Sequence, residues 1–187
     1  MRHLPLFVLL ISTPLLNGCP VVIATGVATG VVTGQDRRTL GTITEDQGIE
    51  LKAQQRINQK YPDPHINVTA YNRMVLLTGE APDETTRSGI EAIARAVENV
   101  RGAYNEIAVA GNSSHAARAN DSLLTTKVKT RFIDENKFNP IYVKVVSENG
   151  IVYLLGLVKH SEADAAVEIA RTTSGVRKVV TLFEYLD

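Results

Sequence analysis

Two stretches of this 187-residue chain repeat one local pattern, and that repeat limits what the chain can fold into. The first runs from Ile66 to Gly79 and the second from Val143 to Gly156. Each reads as a strand, a tight turn, a second strand and a glycine. Asn149-Gly150 is a strong hairpin signal, because a type I′ turn needs positive φ at both central residues. Asn72-Arg73 is the weaker copy. The match continues downstream, where Ile93-Ala94-Arg95 pairs with Ile169-Ala170-Arg171 and Val100-Arg101 with Val176-Arg177.

Helical periodicity surrounds both hairpins. After them, Ile90, Ile93, Ala94 and Val97 share one face, and Ala166, Ile169 and Ala170 fall at the same phase. Asp83 and Ser161 stand where N-caps belong, and Ser161-x-x-Asp164 resembles a capping box. Before the hairpins, Ile49, Ala53 and Ile57 fall four apart, with Thr42-x-x-Glu45 and Thr44-x-x-Gln47 as candidate caps. Leu124, Val128 and Phe132 do the same behind Asn120-Asp121. Closing strands are expected at about 101–109 and 178–185. In the latter, Val180 and Leu182 alternate with Val179, Thr181 and Phe183, so both faces are expected to be partly buried. Each unit therefore reads helix, strand, strand, helix, strand. The expected class is α+β, two αββαβ domains in tandem, each a three-stranded mixed sheet with two helices on one face. The small, polar run Gly111 to Ala117 reads as the linker.

The N-terminus points to export. Arg2 precedes an apolar run, Leu4 to Leu16, too short to span a bilayer comfortably, and Leu16-Asn17-Gly18-Cys19 closes it as a lipobox. Cys19 is the only cysteine, so the chain can form no intramolecular disulfide and no cysteine metal site. Its thiol is the expected lipid anchor. Residues 20–34 carry no charge, and Gly26, Gly30 and Gly34 have the spacing of packed transmembrane helices. Once cut at Cys19 the segment is too short to span, and its Gly, Thr and Val residues form helices poorly, so it reads as a tether. Pro20, rather than Asp, follows the cysteine, which favours the outer over the inner membrane. The expected organisation is a signal peptide at 1–18, a lipidated N-terminus and tether at 19–40, domains at 41–110 and 120–187, and a linker at 111–119.

The net charge of zero argues against nucleic-acid binding through bulk charge. No pattern of catalytic residues is present: His3, His65, His115 and His160 are scattered, and no nucleophile motif, phosphate loop or clustered carboxylate set occurs. No enzyme activity, cofactor or metal is expected. One surface stands out. With Leu124, Val128 and Phe132 facing the core, Leu123 shares an adjacent, exposed face with Thr126, Lys127 and Thr130, flanked by Lys129 and Arg131. An exposed apolar residue among basic ones suits an anionic membrane surface, where each Lys or Arg contributes on the order of 1 kcal/mol. The matching first helix sets Glu45, Asp46 and Glu50 against Lys52 and Arg56 and is not basic. Two bland alternatives stay open here: the lysines as a solvated face, with Leu123 under the linker, or a protein-interaction module in which sheets and edge strands bind an envelope partner.

The αββαβ unit, with its Val-x-Val and Val-x-Leu-x-Gly hairpin ending at Gly79 or Gly156 and its Gly175-Val176-Arg177-Lys178-Val179 before the last strand, resembles the BON domain. Asn99-Val100-Arg101-Gly102-Ala103 is a degraded copy of that last element. Two such units behind a lipobox resemble the dual-BON outer-membrane lipoproteins over the whole mature chain. The resemblance implies binding of anionic phospholipid such as phosphatidylglycerol through the first helix of the second unit, a periplasm-facing position on the outer membrane, and support of outer-membrane integrity. It also implies gathering at the division site and assistance to the outer-membrane protein assembly machinery. An aromatic is expected at the position of Leu123, and this chain has no Trp.

Overall fold

The computed structural model describes residues 36–187; Cys19, the signal segment and the tether through Gln35 lie outside the described residues. The first domain is built from α1 (Leu40–Lys60), β1 (Ile66–Tyr71), β2 (Met74–Ala81), α2 (Glu84–Arg95), β3 (Gly102–Asn105) and β4 (Ala108–Val109). The second repeats the order with α3 (His115–Glu135), β5 (Val143–Glu148), β6 (Ile151–Val158), α4 (His160–Arg171) and β7 (Lys178–Tyr185). In each sheet the hairpin is antiparallel and the last strand joins the central one in parallel, by way of a helix. The α+β class and the two helices per mixed sheet are as the sequence pattern implies.

The turns follow their residues. Asn149 (φ 50°) and Gly150 (φ 72°) both take positive φ, and so do Asn72 (φ 50°) and Arg73 (φ 64°). Gly79 ends its hairpin at φ +113°, where a Cβ would sit 1.9 Å from the His65 carbonyl oxygen, so no other residue fits. Asn99 takes the left-handed conformation that Gly175 takes in the second domain, and Asn tolerates it better than other side chains do.

Four local expectations change. α1 is capped by Thr39, whose Oγ1 accepts from Thr42 N–H, not by Thr42 or Thr44. α3 is capped by Ser114 and is helical from His115, so most of the expected 111–119 linker is helix and Asn120-Asp121 lie inside it. α4 starts two residues earlier than Ser161 implied: Lys159 is the N-cap, and the Glu162 carboxylate accepts its N–H. The closing strand of the first domain breaks between Asn105 and Ala108, where Asn105 Oδ1 accepts from Ile107 N–H.

Asp121, read as a helix-start acid, and Asp46, read as one of the charges on the first helix, have another job. Asp121 is buried, and its oxygens accept from Asn149 and Gly150 N–H at 2.9 Å each. Asp46 accepts from Asn72 and Arg73 N–H at 2.8 and 2.7 Å and pairs with Arg38. Each first helix is thus pinned to its hairpin turn by a carboxylate that satisfies two turn donors.

Alternation along the strands separates three apolar clusters. Ile49, Ala53, Ile57, Val75, Leu77, Ile90 and Ala94 form the first core. Leu124, Val128, Phe132, Val152, Leu154, Ala166 and Ile169 form the second. The residues between them on the strands point the other way: Tyr71 and Leu76 meet Tyr153 and Leu155, with Val180 and Leu182 against them. The helix-free faces of the two sheets therefore pack on each other. Cross-domain polar contacts edge this seam, including Lys144 Nζ to Glu50 at 2.7 Å, Arg101 to Glu184 at 2.9 Å and Asn72 Nδ2 to Glu184 at 2.9 Å. Arg37 stacks over Tyr142, 3.7 Å from its centroid, and pairs with Glu162. The two domains are a fixed pair with their helices outward.

Candidate functional site

The face predicted on α3 is outward and open. Leu123, Thr126, Lys127, Thr130 and Arg131 line one side of a shallow groove, and Thr173 and Ser174, just past α4, line the other. Leu123 is 62% exposed and reaches no core. Thr126 donates its hydroxyl to the Ser122 carbonyl at 3.0 Å, so the polar atom is satisfied by the helix itself. Ile133, 65% exposed, lies three residues beyond Thr130 and continues the ridge; the sequence reading passed over it. Its signal was available, since 123, 126, 130 and 133 follow helical spacing on the side away from 124, 128 and 132.

The basic residues divide by role. Lys127 lines the groove, and Lys129 is exposed one turn before Ile133, on the opposite flank of the ridge. Among the described residues neither forms an ion pair; the α3 pairs are Arg131 with Glu135 and, past its end, Lys137 with Glu135. Arg131 is committed inward. Its guanidinium donates to the Ile169 carbonyl at 2.8 Å and to the Thr172 and Thr173 hydroxyls at 2.9 and 3.0 Å, satisfying the end of α4. Arg56 does the same in the first domain, donating to the Ala96 carbonyl at 3.2 Å. The repeat marks this arginine as a packing element of the fold. Lys137, and after it Arg131, hold the Glu135 carboxyl below the usual range, so this acid stays charged and neutralised in place.

The first domain lacks the same chemistry at the matching place. Gly48 stands where Leu123 stands, with open space around it. Lys52, the counterpart of Lys127, faces Glu98 at 3.7 Å, and Glu45 lines the same hollow. Asp46 and Glu50 are used internally, Glu50 accepting from Ala70 N–H as well as Lys144. Among the described residues no helix is long and apolar enough to cross a membrane.

Comparison with known proteins gives the family. The BON domain family model matches residues 45–111 and again 120–187. The outer membrane lipoprotein DolP of Haemophilus influenzae is 38% identical over 97% of this chain and 96% of its own length. A 21 kDa hemolysin of Actinobacillus pleuropneumoniae is 34% identical over 81% of this chain and 80% of its own. The osmotically-inducible protein Y of Escherichia coli is 24% identical over 75% of this chain and 72% of its own. With both halves matched to one family, and a relative aligned almost end to end, the chain belongs to the BON domain family as a dual-BON protein of the DolP group.

Proposed function

We propose that this protein is a non-enzymatic outer-membrane lipoprotein, anchored through Cys19 and facing the periplasm, whose second BON domain binds anionic phospholipid. The observation that carries the reading is the asymmetry between the two first helices. α3 offers Leu123 and Ile133 with Lys127 and Lys129, neither of them in an ion pair among the described residues, whereas α1 has Gly48 and a lysine already facing an acid. Apolar side chains enter the headgroup region while the lysines meet lipid phosphates, and the two effects add. Lys127, Leu123, Thr126 and Thr130 form the contact, with Lys129 at its edge; Arg131 positions the groove wall. Leucine inserts without the interfacial preference of an indole ring, so binding rests more on charge than it would with Trp. The same proposal covers support of outer-membrane integrity, a place at the division site and assistance to outer-membrane protein assembly.

Co-sedimentation of residues 36–187 with phosphatidylglycerol or neutral phosphatidylcholine vesicles tests it. Binding is expected to the anionic vesicles alone. Lys127→Glu replaces roughly 1 kcal/mol of attraction by a similar repulsion, a loss on the order of 30-fold. Leu123→Asp should weaken binding at least as much. Binding unchanged in both variants, or none to either vesicle, would sink the lipid reading. A protein partner held near the membrane by the anchor, sought by crosslinking in cells, would then take its place.

A further inference from the structure

At the seam between the domains, three residues far apart in sequence converge. His65 precedes β1, Glu80 lies on β2, and Glu148 ends β5 in the other domain. One ligand atom of each lies within 4.8 Å of the others, and His65 Nδ1 is 3.5 Å from Glu80 Oε2. Both carboxylates are buried, Glu80 at 2% and Glu148 at 5% exposure. Their hydrogen bonds come from neutral donors. Asn149 Nδ2 donates to Glu80 at 2.9 Å, Ser113 N–H to Glu80 at 3.1 Å, and Asn67 Nδ2 to Glu148 at 2.9 Å. Among the described residues neither acid pairs with a lysine or arginine; the one cationic candidate is His65. Among the described residues, His65 Nδ1 is itself shut off from solvent and has no hydrogen-bond partner.

Buried carboxylates are ordinarily paired or bind metal, and a buried imidazole nitrogen ordinarily has a partner. Here all three lack what a single cation would supply. We propose that His65, Glu80 and Glu148 form a binding site for a divalent first-row cation of the zinc type, clamped between the two BON domains. An N/O donor set of one imidazole and two carboxylates suits such an ion. Bonds of about 2.0–2.2 Å in a tetrahedral site set neighbouring ligand atoms about 3.4 Å apart, close to the His65–Glu80 spacing. Asn67 and Asn149 each reach across the seam to orient a carboxylate on the other domain, as outer-layer partners of metal ligands do. A solvent-open cleft borders Glu148 and His65, lined also by Arg118, Asp121 and Ser122, and gives a route for entry and for a water as fourth ligand. Arg118 is turned toward the Ser113 carbonyl at 3.0 Å, at the rim of that cleft. Burial raises the Glu148 carboxyl, with the bond from Asn67 opposing; in Glu80 hydrogen bonds from Ser113 and Asn149 outweigh burial and lower it. A cation would hold both ionised.

The full chain, purified in detergent and stripped with a chelator, is titrated with Zn²⁺ by calorimetry and followed by its melting temperature, with Co²⁺ absorption reporting coordination number. One equivalent of Zn²⁺ is expected to bind, raise the melting temperature and, as Co²⁺, give a four-coordinate spectrum. Glu148→Gln and His65→Gln should abolish all three while folding to the same circular dichroism spectrum. Asn67→Ala, which changes no ligand, should weaken binding about 10-fold. Zn²⁺ binding that survives unchanged in Glu148→Gln and His65→Gln would overturn the site, and so would the absence of any melting shift in the wild type. A melting temperature that ignores Zn²⁺ but tracks pH through Glu148 would also overturn it, assigning the missing charge to a proton.

Discussion

Replacing Asp121 tests the claim that a buried carboxylate holds the first helix of the second domain to its hairpin turn. In Asp121→Ala two backbone donors lose a charged acceptor that each reached at 2.9 Å. A hydrogen bond to a charged group contributes about 1.5–3 kcal/mol, and a buried donor left alone costs about 1–3 kcal/mol. Gly150 is buried and bears the full cost, whereas Asn149 is exposed and water recovers part of its bond. The expected loss is about 3 kcal/mol, which for a protein of this size lowers the melting temperature by roughly 6–12 °C. Asp121→Asn keeps one acceptor oxygen and should lose about half as much. Urea unfolding followed by circular dichroism measures both, with the slope expected to stay constant. A loss below about 1 kcal/mol for the alanine variant would show that α3 is held by its apolar face alone, and that the turn donors are satisfied without Asp121.

Two other outcomes follow from the packing. Leu155→Ala removes a fully buried side chain from the cluster between the sheets, so it should cost about 2–5 kcal/mol and split unfolding into separate domain transitions; a single, unshifted transition would contradict the fixed pairing. Acid should weaken the pair through Glu162, whose carboxyl the Arg37 hydrogen bond holds below its ordinary 4.5. The unfolded chain takes up that proton first, so this stability is present above about pH 4.5 and is lost as pH falls through the lower folded value. Arg37→Ala should return the Glu162 carboxyl toward its ordinary value in an NMR titration, and an unmoved value would refute the pairing.

The outward face of α3 was legible because it depends on one helix. Once Leu124, Val128 and Phe132 are assigned inward, the 3.6-residue period alone places Leu123, Thr126, Lys127 and Thr130 outward. Arg131 was legible in position but not in role, because its acceptors, the Ile169 carbonyl and the Thr172 and Thr173 hydroxyls, belong to a helix far along the chain. The same reason hid Asp46 and Asp121. As isolated letters Asp121 reads as a helix-start acid and Asp46 as a surface charge, and only the fold brings the hairpin turn to them.

What the sequence by itself determined is the repeated unit. Period-two strands, Asn149-Gly150 and the paired helical stripes are local signals, governed by backbone sterics and by one-dimensional periodicity. What only the tertiary structure decided is how the two units meet. The outward faces of both central strands are apolar, through Leu76, Tyr153 and Leu155, and each sheet has helices on one side only. Burying those faces against each other removes them from water, and that contact is set by long-range geometry that no window of sequence contains. The meeting of His65 and Glu80 with Glu148 is a product of the same docking, which is why four scattered histidines looked inert until the sheets closed on one of them.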